Sequence, residues 1–330
     1  LYPLFSHFFA EMGFEVVVPE HFAEEGLSRA EAEFCLPAQI SHGAFLALLR
    51  RAPDYIFLPQ IMQVPVPNVP TYRRLCVFAQ AEPYYLKTTF RTEIASSPTV
   101  ILSPVLRMED GYERAESELV AMAWRMGVGA EEARRAMELA CRRQNAFERD
   151  LHELGDRALA FLREHPETFG VVLLGRAYNA FADEVNMGIP HKVASRGFVI
   201  LPCDMLRADH FPVDRKMFWA NGQRIMKAAQ LVKEQRDLFA FYITNFSCGP
   251  DSFLLTYFRD LMGAKPSLTL ELDQHTANAG IDTRIEAALD IMAAHRRRGP
   301  HLRRRSGQGA PFVAARVEQG RSVSVIASDG

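Results

Sequence analysis

The stretch Phe239-Ala240-Phe241-Tyr242-Ile243-Thr244-Asn245-Phe246-Ser247-Cys248-Gly249-Pro250-Asp251-Ser252 reads as a strand, a loop and the start of a helix. Its apolar beginning is typical of a buried strand, and Gly249 and Pro250 are turn residues. Asp251 and Ser252 predict a helix cap, because apolar residues at helical spacing follow them. In open α/β sheets, ligands bind at the carboxyl ends of the strands. The stretch therefore predicts a ligand site around Cys248.

Further strand-like runs alternate with helical patterns along the rest of the chain. The predicted strands are 14–19, 55–59, 99–102, 171–174, 198–202, 239–244 and 268–272. The predicted helices of the first third are 4–12, 28–34 and 40–49. This alternation predicts an α/β fold with two Rossmann- or flavodoxin-like lobes, mostly parallel sheets and a helical segment between the lobes. The proline-rich stretch 59–70 is predicted to be an irregular loop that faces solvent or a partner.

These patterns predict four regions. Residues 1–108 form a first α/β lobe, and we expect it to be truncated because no strand precedes the helix at 4–12. Residues 109–168 form a charged helical connector, and residues 169–293 form a second α/β lobe. Residues 294–330 form a basic linker or tail, or the start of a further truncated unit, because arginines replace apolar residues there.

Composition narrows the classes of function. The 330 residues are 48% hydrophobic and 24% charged, with a net charge of -2, which is ordinary globular composition. We expect binding neither to nucleic acid nor to a membrane, since no basic patch carries interleaved aromatic residues and no apolar run is long enough to span a bilayer. Five cysteines, an odd number, do not suggest a disulfide framework, so a reducing cytoplasm is the predicted location.

Three cysteines lie in segments that resemble binding loops. Cys35, Cys76 and Cys248 each have a proline downstream, which indicates a turn that directs the sulfur toward a shared cleft. The alternative for any one of them is a small buried hydrophobe. Cys141 lies in a helical pattern and Cys203 follows a strand without a loop motif, so we assign both to structural roles.

The spacing of these cysteines bears on the kind of metal site. Zinc sites in small motifs pair their ligands closely in sequence, and no such pair occurs here. Three cysteines from distant segments suit an iron–sulfur cluster with one position left for water or substrate. We therefore predict a metal or iron–sulfur site in a cleft between the lobes.

Other residues are candidates for roles around that site. Asn245 and Gly249 flank Cys248, where the first can brace the loop and the amide of the second can donate to sulfur. Arg176 and Asn179 follow a predicted strand and suit an anionic group such as a phosphate, with a surface salt bridge as the equal alternative. Glu82 is either a proton donor or, in our preferred interpretation, an anchor for its loop.

The motifs together resemble a known family. They lie at 34–37, 41–43, 54–59, 80–84, 175–181, 186–190, 244–253 and 271–277. They are similar to the acyl-CoA dehydratase activase-related proteins of the DUF2229 type, relatives of 2-hydroxyacyl-CoA dehydratase subunits and double-cubane cluster proteins. The resemblance runs from Leu1 to about Met292, and the motif around Cys248 is its most specific part. Ser247 stands where glycine is common in the family.

The resemblance implies a function. It implies a two-lobed subunit in which Cys35, Cys76 and Cys248 bind an iron–sulfur cluster of the 4Fe–4S or double-cubane type. It also implies low-potential electron transfer driven by an ATP-dependent activase, either separate or fused, with an acyl-CoA as a substrate and a homodimer or heterodimer as the assembly. The sequence has no Gly-x-x-x-x-Gly-Lys-Ser/Thr loop, so no ATP site is expected in this chain.

Two alternatives stay open. One is a scaffold of the same fold that has lost its cluster and binds the activase or a CoA ester. The other is a two-lobed small-molecule binding protein whose cysteines are only core residues. Cysteine-to-serine changes distinguish these hypotheses, because only a cluster protein depends on 35, 76 and 248 together but not on 141.

Overall fold

A computed structural model describes residues 1–19, 21–30, 35–69, 71–182, 185–273 and 278–298. The α-helices are α1 (Tyr2–Glu11), α2 (Glu24–Leu27), α3 (Leu36–Arg50), α4 (Val77–Thr89), α5 (Arg91–Ser96), α6 (Glu116–Arg125), α7 (Ala130–Glu164), α8 (Ala177–Ala180), α9 (Ile189–Ala194), α10 (Ala220–Glu234), α11 (Gly249–Met262) and α12 (Asn278–Arg298). The strands are β1 (Tyr55–Phe57), β2 (Gln60–Gln63), β3 (Val100–Leu102), β4 (Val105–Arg107), β5 (Gly170–Leu174), β6 (Val199–Pro202), β7 (Leu238–Asn245) and β8 (Ser267–Leu272).

The second lobe is built on a parallel sheet whose strand order, among the described residues, is β6-β5-β7-β8. Alternate residues of β5 enter two different cores: Val172 and Leu174 pack with Tyr242 on one face, and Val171 and Leu173 pack on the other. A parallel sheet covered on both faces requires such continuous apolar runs. The predicted α/β fold class is confirmed.

The first lobe has shorter strands, again parallel. Strand β1 pairs with β3, and β2 pairs with β4. Helix α1 packs along α7, and Leu4 and Phe8 lie in a core with Leu106 and Met137. The sequence pattern gave no indication of β4, since Val105–Arg107 contributes only one buried side chain.

The helical prediction for 109–164 is confirmed. A short 3-10 helix at Tyr112–Ala115 leads into α6, and the long helix α7 follows. A second 3-10 helix, Cys203–Met205, packs against α7. Helix α10 was not predicted, although it contributes Ile225 and Val232 to the core of the second lobe.

The predicted strand at 14–19 is wrong. Those residues have no strand pairing; Phe14 packs against the rings of Phe9 and Tyr55, while Val16 and Val18 are exposed. A strand needs a neighbour for its backbone N–H and C=O groups, and a run of three valines does not supply one. The apolar pattern was therefore insufficient evidence of a strand.

The predicted irregular loop at 59–70 is also wrong in part. It contains β2, and the three valines interspersed with its prolines, Val64, Val66 and Val69, are buried in the core of the first lobe. The carbonyls of Pro65 and Pro67 accept hydrogen bonds from Arg224 and Lys227 of α10. Proline has no backbone N–H, but its carbonyl can still accept a hydrogen bond. A segment fixed by hydrogen bonds to its carbonyls therefore tolerates prolines.

Two further predictions meet the limits of the described residues. The helix predicted at 28–34 is displaced, because α2 ends before Ser28, and 31–34 lie outside the described residues. The basic stretch from 294 was predicted to be a linker, but α12 continues to Arg298; 299–330 lie outside the described residues. Leu1–Arg296 forms one compact unit, and the boundaries proposed within it stay predictions. No described helix is long and apolar enough to cross a bilayer.

Candidate functional site

Each of the three candidate cysteines occupies the N-cap position of a helix. Cys35 precedes α3, Cys76 precedes α4 and Cys248 precedes α11. All three are free thiols. The first backbone N–H groups of a helix have no partner inside the helix and carry its positive dipole end, so each sulfur lies beside donors suited to negative charge. Ala79 N donates to Cys76 Sγ at 3.4 Å.

The prolines that marked these segments have two different roles. Pro37 and Pro250 lie in the first turn of α3 and α11, where the missing N–H removes no helical bond. Pro83 instead lies inside α4 and is buried, so it does not mark the Cys76 turn. The common signal is therefore a cysteine that starts a helix. Helix α11 begins at Gly249, directly after Cys248, not at the predicted cap Asp251–Ser252.

Arg176 links the end of β5 to the Cys248 sulfur within the second lobe. It follows β5, is 6% exposed, and donates from Nη2 to Cys248 Sγ at 2.7 Å and to Asp251 Oδ2 at 2.6 Å. Asp251 also accepts from Thr244 Oγ1, and from Tyr242 Oη at 3.2 Å. This buried network fixes the guanidinium at the carboxyl ends of β5 and β7. The salt bridge considered as the alternative to an anion site therefore exists, but it is buried and not on the surface.

Cys35 and Cys76 lie close to this network. Cys76 lines a narrow cleft together with Arg176, Pro250 and Asp251. The Cys35 thiol is near enough to Cys76 and to Arg176 for their charges to affect it. The structure thus brings the three predicted cysteines to one region, where the helix N-termini of both lobes meet.

Burial determines the protonation of the thiols. It raises the pKa of Cys248 to about 11 and raises that of Cys35, while the positive charge of Arg176 opposes both shifts. Burial also opposes the charge on Arg176, but Tyr178, Asp251 and Cys248 raise its pKa above the ordinary value. Both thiols are therefore protonated at neutral pH in this state, and binding a metal through them would release protons.

Two predicted polar residues are buried without partners. Asn179 is 0% exposed and Asn245 is 4% exposed, and among the described residues neither amide has a hydrogen-bond partner at oxygen or nitrogen. Arg176 Nε also has none. Gly249 is the first residue of α11 and has open space where a side chain would be, so a close approach does not require glycine there.

Glu82 lies within α4, not in a loop as predicted. Burial raises its pKa, and a hydrogen bond with Ser41 opposes the shift. Tyr85 Oη lies 3.1 Å from Ser41 Oγ, and the Tyr85 ring stacks on His42 with centroids 5.1 Å apart. The charges of Glu82, Cys35 and Cys76 all act on Tyr85, so Tyr85 has this acid and two of the three thiols in its surroundings.

Sequence reasoning missed two residues of the site. Asp251 was taken for a helix cap, but it binds Arg176 inside the protein. Tyr178 places its ring 5.3 Å from the Arg176 guanidinium, and the charges of Cys76 and Cys248 act on it. Its position two residues after Arg176 was the available signal. Cys141 lies inside α7, and Cys203 is the buried first residue of the 3-10 helix Cys203–Met205.

Within the described residues, no group of three or more His, Cys, Asp or Glu side chains is arranged to hold a metal ion. A four-iron cluster places different requirements on its ligands, because each thiolate binds a different iron. Three thiols at helix N-termini fit the donor set of such a cluster.

The chain was compared with known proteins. A family model described as a CoA enzyme activase uncharacterised domain, DUF2229, matches residues 1–206. The matched part contains Cys35, Cys76, Arg176 and Asn179, whereas Cys248 lies beyond it. None of the curated proteins matches the chain.

Proposed function

The chain belongs to the CoA enzyme activase family DUF2229, and from this premise we propose that it is an iron–sulfur subunit of the 2-hydroxyacyl-CoA dehydratase and activase superfamily. Cys35, Cys76 and Cys248 would hold the cluster, of the 4Fe–4S or double-cubane type. The observation that supports this most is the position of all three cysteines at helix N-caps in one region.

The donor set suits a sulfur cluster for a physical reason. A cluster with thiolate ligands is anionic, and unpartnered amide N–H groups at three helix N-termini offset that charge. Arg176 adds a hydrogen-bond donor beside Cys248. When bound, such a cluster supplies the ability to accept and pass on one electron at low potential.

The chain's own residues would perform three tasks. Asp251 holds Arg176, and Arg176 holds the Cys248 sulfur, so the ligand is positioned before any metal binds. The apolar core of the second lobe, which lies behind β7, excludes water from one side of the cysteine site. Glu82, whose pKa burial raises and which forms a hydrogen bond with Ser41, would exchange a proton with a substrate. The proposed electron donor is an ATP-dependent activase, and the proposed substrate is an acyl-CoA or another small molecule.

A second function has its own supporting observation. The cleft lined by Cys76 and Arg176 is narrow. This feature favours a scaffold that has no cluster and binds the activase or a CoA ester through the same surface.

Purification without oxygen, followed by assay of iron and acid-labile sulfide, tests the first proposal. We expect brown protein with iron and sulfide in equal amounts, and we expect Cys35→Ser, Cys76→Ser and Cys248→Ser each to lose most of both. Cys141→Ser is the matched control, since Cys141 lies in α7 away from the three helix starts. Colourless, folded protein after reconstitution with iron and sulfide would exclude the cluster and favour the scaffold.

A further inference from the structure

Asn179 and Asn245 share a property found in no other pair of side chains in the described part of the chain. Both amides are buried, and both lack a partner at Oδ1 and at Nδ2. A buried polar group without a hydrogen bond destabilises a fold. Two such amides at the carboxyl edge of one sheet therefore require an explanation other than stability.

The fold brings the two residues to the same edge of the sheet. Asn245 ends β7, and Asn179 lies in α8, which packs against β7. Gly175 makes that approach possible, because a Cβ there would lie 2.8 Å from both the Ile243 carbonyl oxygen and the Ala180 Cβ. The unpartnered Arg176 Nε lies in the same turn between β5 and α8.

The chemistry of these atoms limits what they can bind. The amide nitrogens and Arg176 Nε are donors, whereas the two Oδ1 atoms are acceptors. Cluster sulfides and thiolates only accept hydrogen bonds, so a cluster would leave both Oδ1 atoms without partners. The charge of Arg176 is already balanced by Asp251 at 2.6 Å, so a buried anion would find no uncompensated positive charge.

We propose that Asn179, Asn245 and Arg176 Nε form a subsite for a small neutral ligand that carries both a carbonyl acceptor and an N–H or O–H donor, of the carboxamide class. The subsite lies beside Cys248 and deepens the proposed function by giving that site a substrate-binding part distinct from its sulfur ligands. The protein without ligand is less stable because it keeps these groups unpaired.

Apolar replacement of the amides, measured by thermal unfolding of the metal-free protein, tests this. The leucine side chain has the same branched shape as asparagine but no polar atoms. We expect Asn179→Leu and Asn245→Leu each to raise the melting temperature by about 2–4 °C. Asn186→Leu is the matched control. Asn186 is 1% exposed in the same segment, but its Oδ1 accepts from Gly188 N at 2.9 Å and its Nδ2 donates to the Ala180 carbonyl. We expect that variant to melt at a lower temperature.

The ligand class is tested with two isosteric probes. Acetamide carries a donor and an acceptor, whereas acetate carries acceptors only. We expect acetamide to raise the melting temperature of the wild-type protein more than acetate does, and we expect Asn179→Leu and Asn245→Leu to abolish the difference.

Three results would overturn the proposal. If both leucine variants melt lower, as Asn186→Leu does, the amides are structural. If they melt higher but acetamide has no effect, the amides bind only water. If acetate stabilises as well as acetamide, the ligand is an anion. All of these measurements use metal-free protein, so they are independent of whether iron and sulfide bind.

Discussion

At the scale of single residues, the loop before Cys248 stores backbone strain. Ser247 has φ of +57°, a left-handed conformation that costs a residue with a Cβ about 1–2 kcal/mol. This explains physically why glycine suits the position. This left-handed conformation turns the chain from the end of β7 into the first turn of α11, which places the Cys248 sulfur at the helix start.

Ser247→Gly should therefore stabilise the protein by up to about 1 kcal/mol, because glycine adopts that conformation freely but loses more backbone entropy on folding. Urea unfolding of the metal-free protein measures the change. Ser252→Gly, five residues later inside α11, is the control and should destabilise by about 0.5–1 kcal/mol. Equal effects at both positions would show that the strain at Ser247 is not significant.

Glu82 predicts a dependence of stability on pH. Burial raises its folded pKa above the unfolded value of 4.5, so the folded state holds the proton more tightly. The unfolding free energy of the wild type should then fall, relative to Glu82→Gln, as the pH rises from about 4.5 through the folded pKa. Below that window the two proteins should differ little.

Denaturant unfolding at a series of pH values measures this difference. Ser41→Ala removes the hydrogen bond that lowers the Glu82 pKa, so its window should extend to higher pH. A gap between wild type and Glu82→Gln that is constant with pH would show that folding does not shift the Glu82 pKa.

At the scale of secondary-structure elements, close approaches between helices depend on glycine. Gly155, inside α7, faces the carbonyl of Met205 in the 3-10 helix Cys203–Met205, and an added Cβ would overlap that oxygen. The long helix α7 therefore contacts the second lobe closely at Gly155, where it has no side chain.

Gly155→Ala should destabilise the protein by about 2 kcal/mol or more, since the overlap with backbone exceeds alanine's gain in helix propensity. Gly280→Ala is a matched change in a helix, because no atom lies within 4 Å of its added Cβ. We expect that variant to be more stable by up to about 1 kcal/mol. Calorimetry of the pair decides the point, and a stabilised Gly155→Ala would contradict the packing.

At the scale of the whole molecule, helix α10 joins the first lobe to the second near the candidate site. Lys227 is 1% exposed and donates to the carbonyls of Pro67 at 2.8 Å and Asp209 at 2.6 Å. Gln223 of the same helix donates to the Tyr72 carbonyl at 2.8 Å. These bonds fix the segment that leads to Cys76 against the lobe that carries Cys248.

Lys227→Met should destabilise the protein by about 2 kcal/mol, because two carbonyls lose their donor while the apolar stem is kept. Arg224→Met removes an exposed side chain that donates to the Pro65 carbonyl and also contacts Tyr112, and it should have a smaller effect. Unfolding by urea compares them. If the two variants lose equal stability, burial of Lys227 contributes nothing to the contact between lobes.

The amino-acid pattern was enough to predict those strands and helices that depend on residues close together in the chain. The continuous apolar runs of β5 and β7 require a sheet covered on both faces, and the helical spacing of 109–164 requires helices, so both were predicted correctly. A cysteine followed by a proline in the first helical turn is also a local signal at 35 and 248. The strand at 14–19 failed because a strand depends on a neighbour that the sequence pattern does not name.

The contacts between these elements become visible only in the folded protein. Sequence placed Arg176 after a strand, but its bonds to Cys248 and Asp251 depend on β5 pairing with β7, some 70 residues apart along the chain. The unpartnered amides of Asn179 and Asn245 are likewise visible only once packing has removed them from water. Pairing register and burial are long-range properties, whereas the pattern of residues along a chain reports only on near neighbours.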